Sequence, residues 1–276
     1  MSQARPRRLG IIGCGAIGST VARLLEKRRS SFRITSLFDL APGQASRLSQ
    51  SLKNRPRVFE KLSDVISHSD FILEAASVKA VPAVIRAALP RKKPVMVMST
   101  GGFLFHQKEI TRLANRYRTK VYLPSGALAG LDGIRAARQQ GTLTQLEILS
   151  TKPPKGFRGA PGLTPAQKRA LDQAQKPFYL YRGDVWGAIE RFPANVNVSA
   201  TLAVASGKPE LLKVKIMADP KARFNQHQIR AVGPFGEMTA VTRNRPSAEN
   251  PKTSALAIQA ALALFERLEN FVEVGN

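Results

Sequence analysis

Apolar residues change their spacing along the chain at short intervals, and the changes mark out elements. The run Leu9-Gly10-Ile11-Ile12 breaks into Gly13, Gly15 and Gly18. Apolar positions then resume at Ile17, Val21, Leu24 and Leu25, which predicts strand, tight turn and helix. The alternation continues. Strands are expected at residues 34–38, 58–59, 71–76, 95–100 and 120–123, with helices at 44–52, 61–66, 78–89 and 110–117 between them. Pro82 falls in the first turn of its helix, where proline is tolerated. Strands and helices at this spacing predict right-handed crossovers and an α/β, doubly wound, Rossmann-like parallel sheet. Such sheets bind ligands at the carboxyl ends of their strands, which here are residues 13–18, Asp39, 75–77, 99–102 and 124–133.

The pattern changes at Pro124-Ser125-Gly126-Ala127. A helix is expected through residue 140 and a strand at 143–151, and residues 152–163, rich in Pro, Gly and Lys, read as an irregular loop. Thr164 is a good N-cap with Pro165 at the first helical position. A short strand at 178–181, a small-residue helix through 205, a strand at 211–217 and a hairpin at 226–241 follow. Few helices among these strands predict a mainly antiparallel sheet in a second α+β domain. Asn250 caps the last helix with Pro251 at its first position, and Ala255, Ile258, Leu262 and Phe265 form its apolar stripe. That stripe is expected to return to the first domain. The predicted division is residues 1–124 with 250–270, and 125–249.

The glycines carry the first chemical signal. Gly13, Gly15 and Gly18 fit G-x-G-x-x-G, in which the turn, the approach of backbone to a pyrophosphate and close helix packing each require glycine. Ala16 and Ile17 open the helix, whose N-terminal N–H groups suit phosphate. Asp39 lies 21 residues beyond Gly18, where a ribose-binding acid is expected, and its charge favours NAD over NADP. NADP is the alternative cofactor.

Composition narrows the class. The 276 residues carry 43 Lys and Arg against 19 Asp and Glu, a net charge of +24. Such an excess attracts anions, yet it is dispersed in small groups, and without a binding motif or aromatic run no specific nucleic-acid partner is expected. Cys14 is the one cysteine, which excludes an internal disulfide and a cysteine metal cluster and makes the cytoplasm the default compartment. Arg5, Arg7 and Arg8 before an apolar stretch imitate a secretion signal, but glycines and Arg23 interrupt it. No apolar window is long enough for a membrane span, and no metal-ligand spacing occurs, so neither membrane nor metal is expected. A homodimer is the expected assembly.

Three histidines are available for proton transfer. His68 and His106 read as surface groups, whereas His227, after a strand and turn, could face the ligand cleft or serve as a hydrogen-bonded structural group. Cys14, inside the glycine turn, is poorly placed as a nucleophile, which argues against thioester-forming dehydrogenases.

Taken together, Gly13-Cys14-Gly15-Ala16-Ile17-Gly18, Ser125-Gly126-Ala127 with Gly130-Leu131-Asp132-Gly133, Phe192-Pro193-Ala194-Asn195-Val196-Asn197-Val198, Ala218-Asp219-Pro220 with Asn225-Gln226-His227, and Glu249-Asn250-Pro251-Lys252-Thr253-Ser254 resemble the motifs of the L-aspartate dehydrogenase family. The resemblance runs in order from Leu9 to Leu268. It implies NAD(P)-dependent oxidative deamination of a small dicarboxylic amino acid, L-aspartate, to iminosuccinate, or the reverse amination, linked to nicotinamide cofactor synthesis. It also implies that His227 is the active-site residue and that Ala127 and Asn197 contact NAD. The +24 charge and the loop from Lys152 depart from the family pattern, and Lys252 is one candidate among many cations for the substrate carboxylates. The alternatives are another amino-acid or semialdehyde dehydrogenase of the same plan, and a non-catalytic NAD-sensing or nucleic-acid-binding protein.

Overall fold

The computed structural model describes residues 5–28, 30–139, 143–245 and 254–274. The chain divides into two compact units, Met1–Pro124 with Ala260–Glu273, and a second made largely of Ser125–Gln259.

In the first unit β1 (Arg7–Ile12), β2 (Phe32–Phe38), β3 (Arg57–Val58), β4 (Phe71–Glu74), β5 (Val95–Val97) and β6 (Val121–Tyr122) pair in the order β3-β2-β1-β4-β5-β6. Every pairing is parallel. Helices α1 (Ala16–Lys27), α2 (Gln44–Ser51), α3 (Leu62–Ser67), α4 (Val81–Ala88), α5 (Thr100–Phe105) and α6 (Gln107–Tyr117) supply the connections. Because both faces are covered, the central strands are continuously apolar: Leu9, Ile11, Ile12 and Phe71 through Leu73 are buried. The strand order reverses between β1 and β4, which puts the ligand crevice of this sheet outside the carboxyl ends of those two strands.

The strand expected at 95–100 is shorter than its apolar run. It ends at Val97, and Thr100 begins α5, where a Cβ on Gly102 would meet Val81 Cγ2 at 2.8 Å. Gly102 thus serves close helix packing. Arg8 grips Asp70 through Nε and a terminal guanidinium nitrogen at 3.0 and 2.7 Å, and these bonds hold the Asp70 carboxyl down at about 2. The later residues complete the same core: Phe265 lies 4.9 Å from Phe32 and 5.8 Å from Phe71 between ring centroids.

The second unit contains α7 (Leu131–Gln139), β7 (Gln145–Lys152), α8 (Pro165–Gln173), β8 (Phe178–Gly183), α9 (Val185–Arg191), α10 (Asn197–Ser206), β9 (Leu212–Ala218), β10 (Asn225–Gly233) and β11 (Gly236–Asn244). The last helix, α11 (Ala255–Arg267), follows; its expected start at Asn250 and Pro251 lies outside the described residues. The sheet order is β11-β10-β7-β9-β8. It is mixed, since β7 and β9 run parallel while the other pairs are antiparallel. The expected cap of α8 forms as a capping box, Thr164 Oγ1 accepting from Gln167 N–H at 3.2 Å while Gln167 Oε1 accepts from Thr164 N–H at 3.1 Å.

Two departures bear on function. Residues 152–163 are not irregular throughout: β7 runs through Lys152, a 3-10 turn occupies Pro154–Gly156, and Phe157, Ala160 and Leu163 are buried. The Pro and Gly residues shape a packed turn whose apolar members anchor it. Helix α9 was not expected; Asp184 starts it by accepting from Gly187 N–H at 2.8 Å.

Candidate active site

At the rim of the parallel sheet the three glycines have three different surroundings. Gly13 has φ +92° and its backbone lies so near the next loop that a Cβ would stand 2.5 Å from Ala75 C and Ala76 N. A Cβ on Gly18 would collide with the Gly13 carbonyl. Gly15 has nothing within 4 Å of its Cβ position. That open side adjoins the start of α1, which has no side-chain cap, so the N–H groups around Ala16 and Ile17 suit an anion.

Asp39 holds this loop in place. Its carboxylate accepts from Cys14 N–H at 2.6 Å and from Ala41 N–H at 2.7 Å, one bond per oxygen. Each oxygen keeps further acceptor capacity for a hydroxyl. Burial, with the Asp39 charge adding to it, pushes the Cys14 thiol up to about 12, so it stays protonated and is no nucleophile.

Sequence reasoning missed a second acid at this rim. Glu74, the last residue of β4, is fully buried, and its carboxylate accepts from the N–H groups of Ala76, Ser77 and Ser99 and from Ser99 Oγ at 2.9 to 3.1 Å. Burial raises its pKa against the pull of these donors. The carboxylate ties the loop after β4 to the loop after β5. A single acid at the end of an apolar run is the only trace this leaves in sequence.

In the second unit the buried face of the mixed sheet changes character along its length. Leu146 and Ile148 on β7, Ile229 and Ala231 on β10, and Val214 and Ile216 on β9 are apolar. One step further along the same face stand Ser150 and Lys152 on β7 and His227 on β10. Register pairs His227 with Ser150, and Ser150 Oγ lies 2.9 Å from His227 Nδ1. Lys152 Nζ donates to Asn195 Oδ1 at 3.1 Å. His227 and Lys152 are 2% and 3% exposed. Desolvation, reinforced by the Lys152 charge, pushes the imidazole down to about 3, and desolvation pushes the Lys152 ammonium down to about 8. The ring is therefore neutral near pH 7. If Nδ1–H donates to Ser150, Nε2 is the acceptor, and no described residue engages it.

This shift predicts an acid limb in stability. The folded value lies below the ordinary 6.5, so between those values the unfolded chain binds a proton that the native state does not. The contribution is intact above pH 6.5 and is lost as pH falls toward 3, at about 1.4 kcal/mol per pH unit, or roughly 3–6 °C in Tm for a unit of this size. Thermal melts from pH 7 to 4 are expected to show this slope in the native protein and a shallower one in His227→Asn. Equal slopes would remove His227 as the source.

The remaining expected residues have these places. The carbonyl of Ala127 accepts from Thr242 Oγ1 at 2.7 Å and Asn244 Nδ2 at 3.3 Å, which fixes the loop after β6. Asn197 is the first residue of α10 and its carbonyl accepts from Thr201 Oγ1 at 2.9 Å. His68 and His106 are at the surface, His68 Nδ1 lying 2.8 Å from the Asp64 carbonyl and His106 facing Glu109. Lys252 lies outside the described residues. Ser150, Lys152 and Asn195 were not singled out. The signal was there: Leu146, Ile148, Ser150 and Lys152 continue one period of two, and stopping the strand at Thr151 hid its last member.

A parallel sheet in this order, with an uncapped helix at its glycine turn, is the nucleotide-binding half of the two-domain oxidoreductases. The mixed sheet of the second unit carries a buried histidine and a buried lysine on one face. Comparison with known proteins narrows the class. Residues 13–124 match the family described as "Homoserine dehydrogenase, NAD binding domain", and residues 132–268 match "Aspartate dehydrogenase, C-terminal". L-Aspartate dehydrogenase of Methanosarcina barkeri is 36% identical over 98% of this chain and 99% of its own, and that of Nitrosopumilus maritimus is 34% identical over 95% and 96%. The crystal structure of aspartate dehydrogenase from Thermotoga maritima superposes with a TM-score of 0.75 at 22% identity, covering 98% and 99% of the two chains. The chain belongs to the L-aspartate dehydrogenase family.

Proposed function

We propose that this protein catalyses the NAD(P)-dependent oxidative deamination of L-aspartate to iminosuccinate, or the reverse amination, in the cytoplasm as a homodimer and in connection with nicotinamide cofactor synthesis. The full-length relationship to L-aspartate dehydrogenases carries the reading. A buried, neutral histidine beside a buried lysine supports it, because the reaction needs both proton transfer and recognition of a dicarboxylate.

The residues at the sheet rim fit a dinucleotide. The glycine turn leaves room over Gly15, α1 presents N–H groups near Ala16 and Ile17, Gly18 holds the turn to the helix, and Asp39 can accept from ribose hydroxyls; Ala127 and Asn197 are the further contacts. Bound NAD supplies a hydride acceptor. The chain's own part is to orient the Cα–H and to manage the proton lost from the substrate nitrogen. His227 Nε2 relays that proton or orients the substrate nitrogen or a water, while Ser150 holds the ring by Nδ1. Asp39 repels a 2′-phosphate, so NAD is favoured over NADP, and nearby Arg47 softens the preference.

The test is NADH or NADPH formation with a panel of amino acids at several salt concentrations. Expected is a kcat/KM for L-aspartate at least about tenfold above that for any other amino acid, with NAD the better cofactor. A flat panel, or none but a salt-steep binding of nucleic acid, would overturn the assignment.

A further inference from the structure

The carboxylates of a dicarboxylic substrate need cationic or N–H partners, and 43 lysines and arginines make composition useless for choosing among the cations. Burial separates them. Among the described residues Lys152 is the lysine or arginine shut away from solvent, at 3% exposure. It stands at the end of β7, on the face that carries Ser150 and, across the register, His227. Two residues along a strand span about 6.6 Å, so the ammonium stem starts one side-chain spacing from the serine that holds the imidazole. Asn195, buried at the start of the turn into α10, accepts from Nζ at 3.1 Å and fixes its direction.

We infer that Lys152, aligned by Asn195, is the anchor for a carboxylate of the substrate and sets the preference of the enzyme for an acid over its amide. This rests on the L-aspartate reading given above. Burying an ammonium is costly, and a carboxylate placed against it offsets that cost where a neutral amide cannot. Lys152 lies two positions along β7 from Ser150, the register partner of His227, on the same face of the sheet. A carboxylate on Lys152 is therefore delivered beside the imidazole. The chemistry is the same for the carboxylate on the reacting carbon and the one on the side chain, and the two amides of L-aspartate distinguish them.

The experiment is steady-state kinetics of the native enzyme, Lys152→Met and Lys152→Gln with L-aspartate, L-asparagine and L-isoasparagine at saturating NAD. In both variants the KM for L-aspartate is expected to rise about 10²-fold while that for NAD stays within about twofold. The native enzyme rejects one of the two amides by about 10²-fold, and the variants bring that amide and L-aspartate to within about threefold of each other. The amide concerned identifies the carboxylate. A structural lysine would depress all three substrates together. On the native enzyme, succinate is expected to compete with L-aspartate at least about tenfold more strongly than succinamide, a comparison that needs no variant. A KM within threefold of native with the acid preference intact, or equal inhibition by succinate and succinamide, overturns the inference. Absence of native activity with L-aspartate would instead overturn the function proposed above.

Discussion

Replacing His227 by alanine is expected to lower turnover with L-aspartate by about 10²- to 10⁴-fold, the range of a lost general acid or base, with NAD affinity unchanged. The glycine turn and Asp39, proposed above to hold the dinucleotide, belong to the other unit, so that part of the cofactor site does not depend on this ring. Truncation leaves a cavity at a buried position, so a second variant separates chemistry from packing. Asparagine places a polar atom near the position of Nδ1 and can keep the bond to Ser150, but offers nothing at Nε2. His227→Asn should therefore melt close to the native protein and turn over as poorly as the alanine variant. Native-like turnover in either would exclude His227 from proton transfer.

The second large effect separates glycines that sequence treats alike. Gly13→Ala forces a side chain onto a residue at φ +92° and into the Ala75–Ala76 backbone, and is expected to cost about 3 kcal/mol or more of stability. Gly15→Ala meets nothing within 4 Å and has an ordinary φ of −71°, so Tm is expected to stay within about 2 °C. The same methyl obstructs the approach of a pyrophosphate and weakens NAD binding about 10- to 100-fold, read by fluorescence titration beside the melting curve. Native NAD affinity in Gly15→Ala would mean that the phosphates do not lie over this turn.

Local signals carried the first unit. Apolar runs buried on both faces, and helices of two to four turns between them, are decided by residues within a few positions of each other. The glycine turn was legible for the same reason. Pairings made across long stretches of chain were not. Whether β7 lies beside β9, and parallel to it, depends on 60 or so intervening residues and on no local pattern. The site in the second unit inherits that difficulty: His227 was visible as a histidine in a motif, but Ser150 and Lys152 become its neighbours only through the register of β7 against β10. Glu74 was hidden for the opposite reason, since an acid in an apolar run looks like an interruption until its four donors are seen.

The return of residues 260–273 to the first unit also governs when that unit can mature on the ribosome. The six strands are all synthesised by Tyr122, yet Phe32 and Phe71 wait for Phe265. At about 5–20 residues per second the delay is roughly 7–30 s, a window in which Phe32 and Phe71 lack their contacts with Phe265.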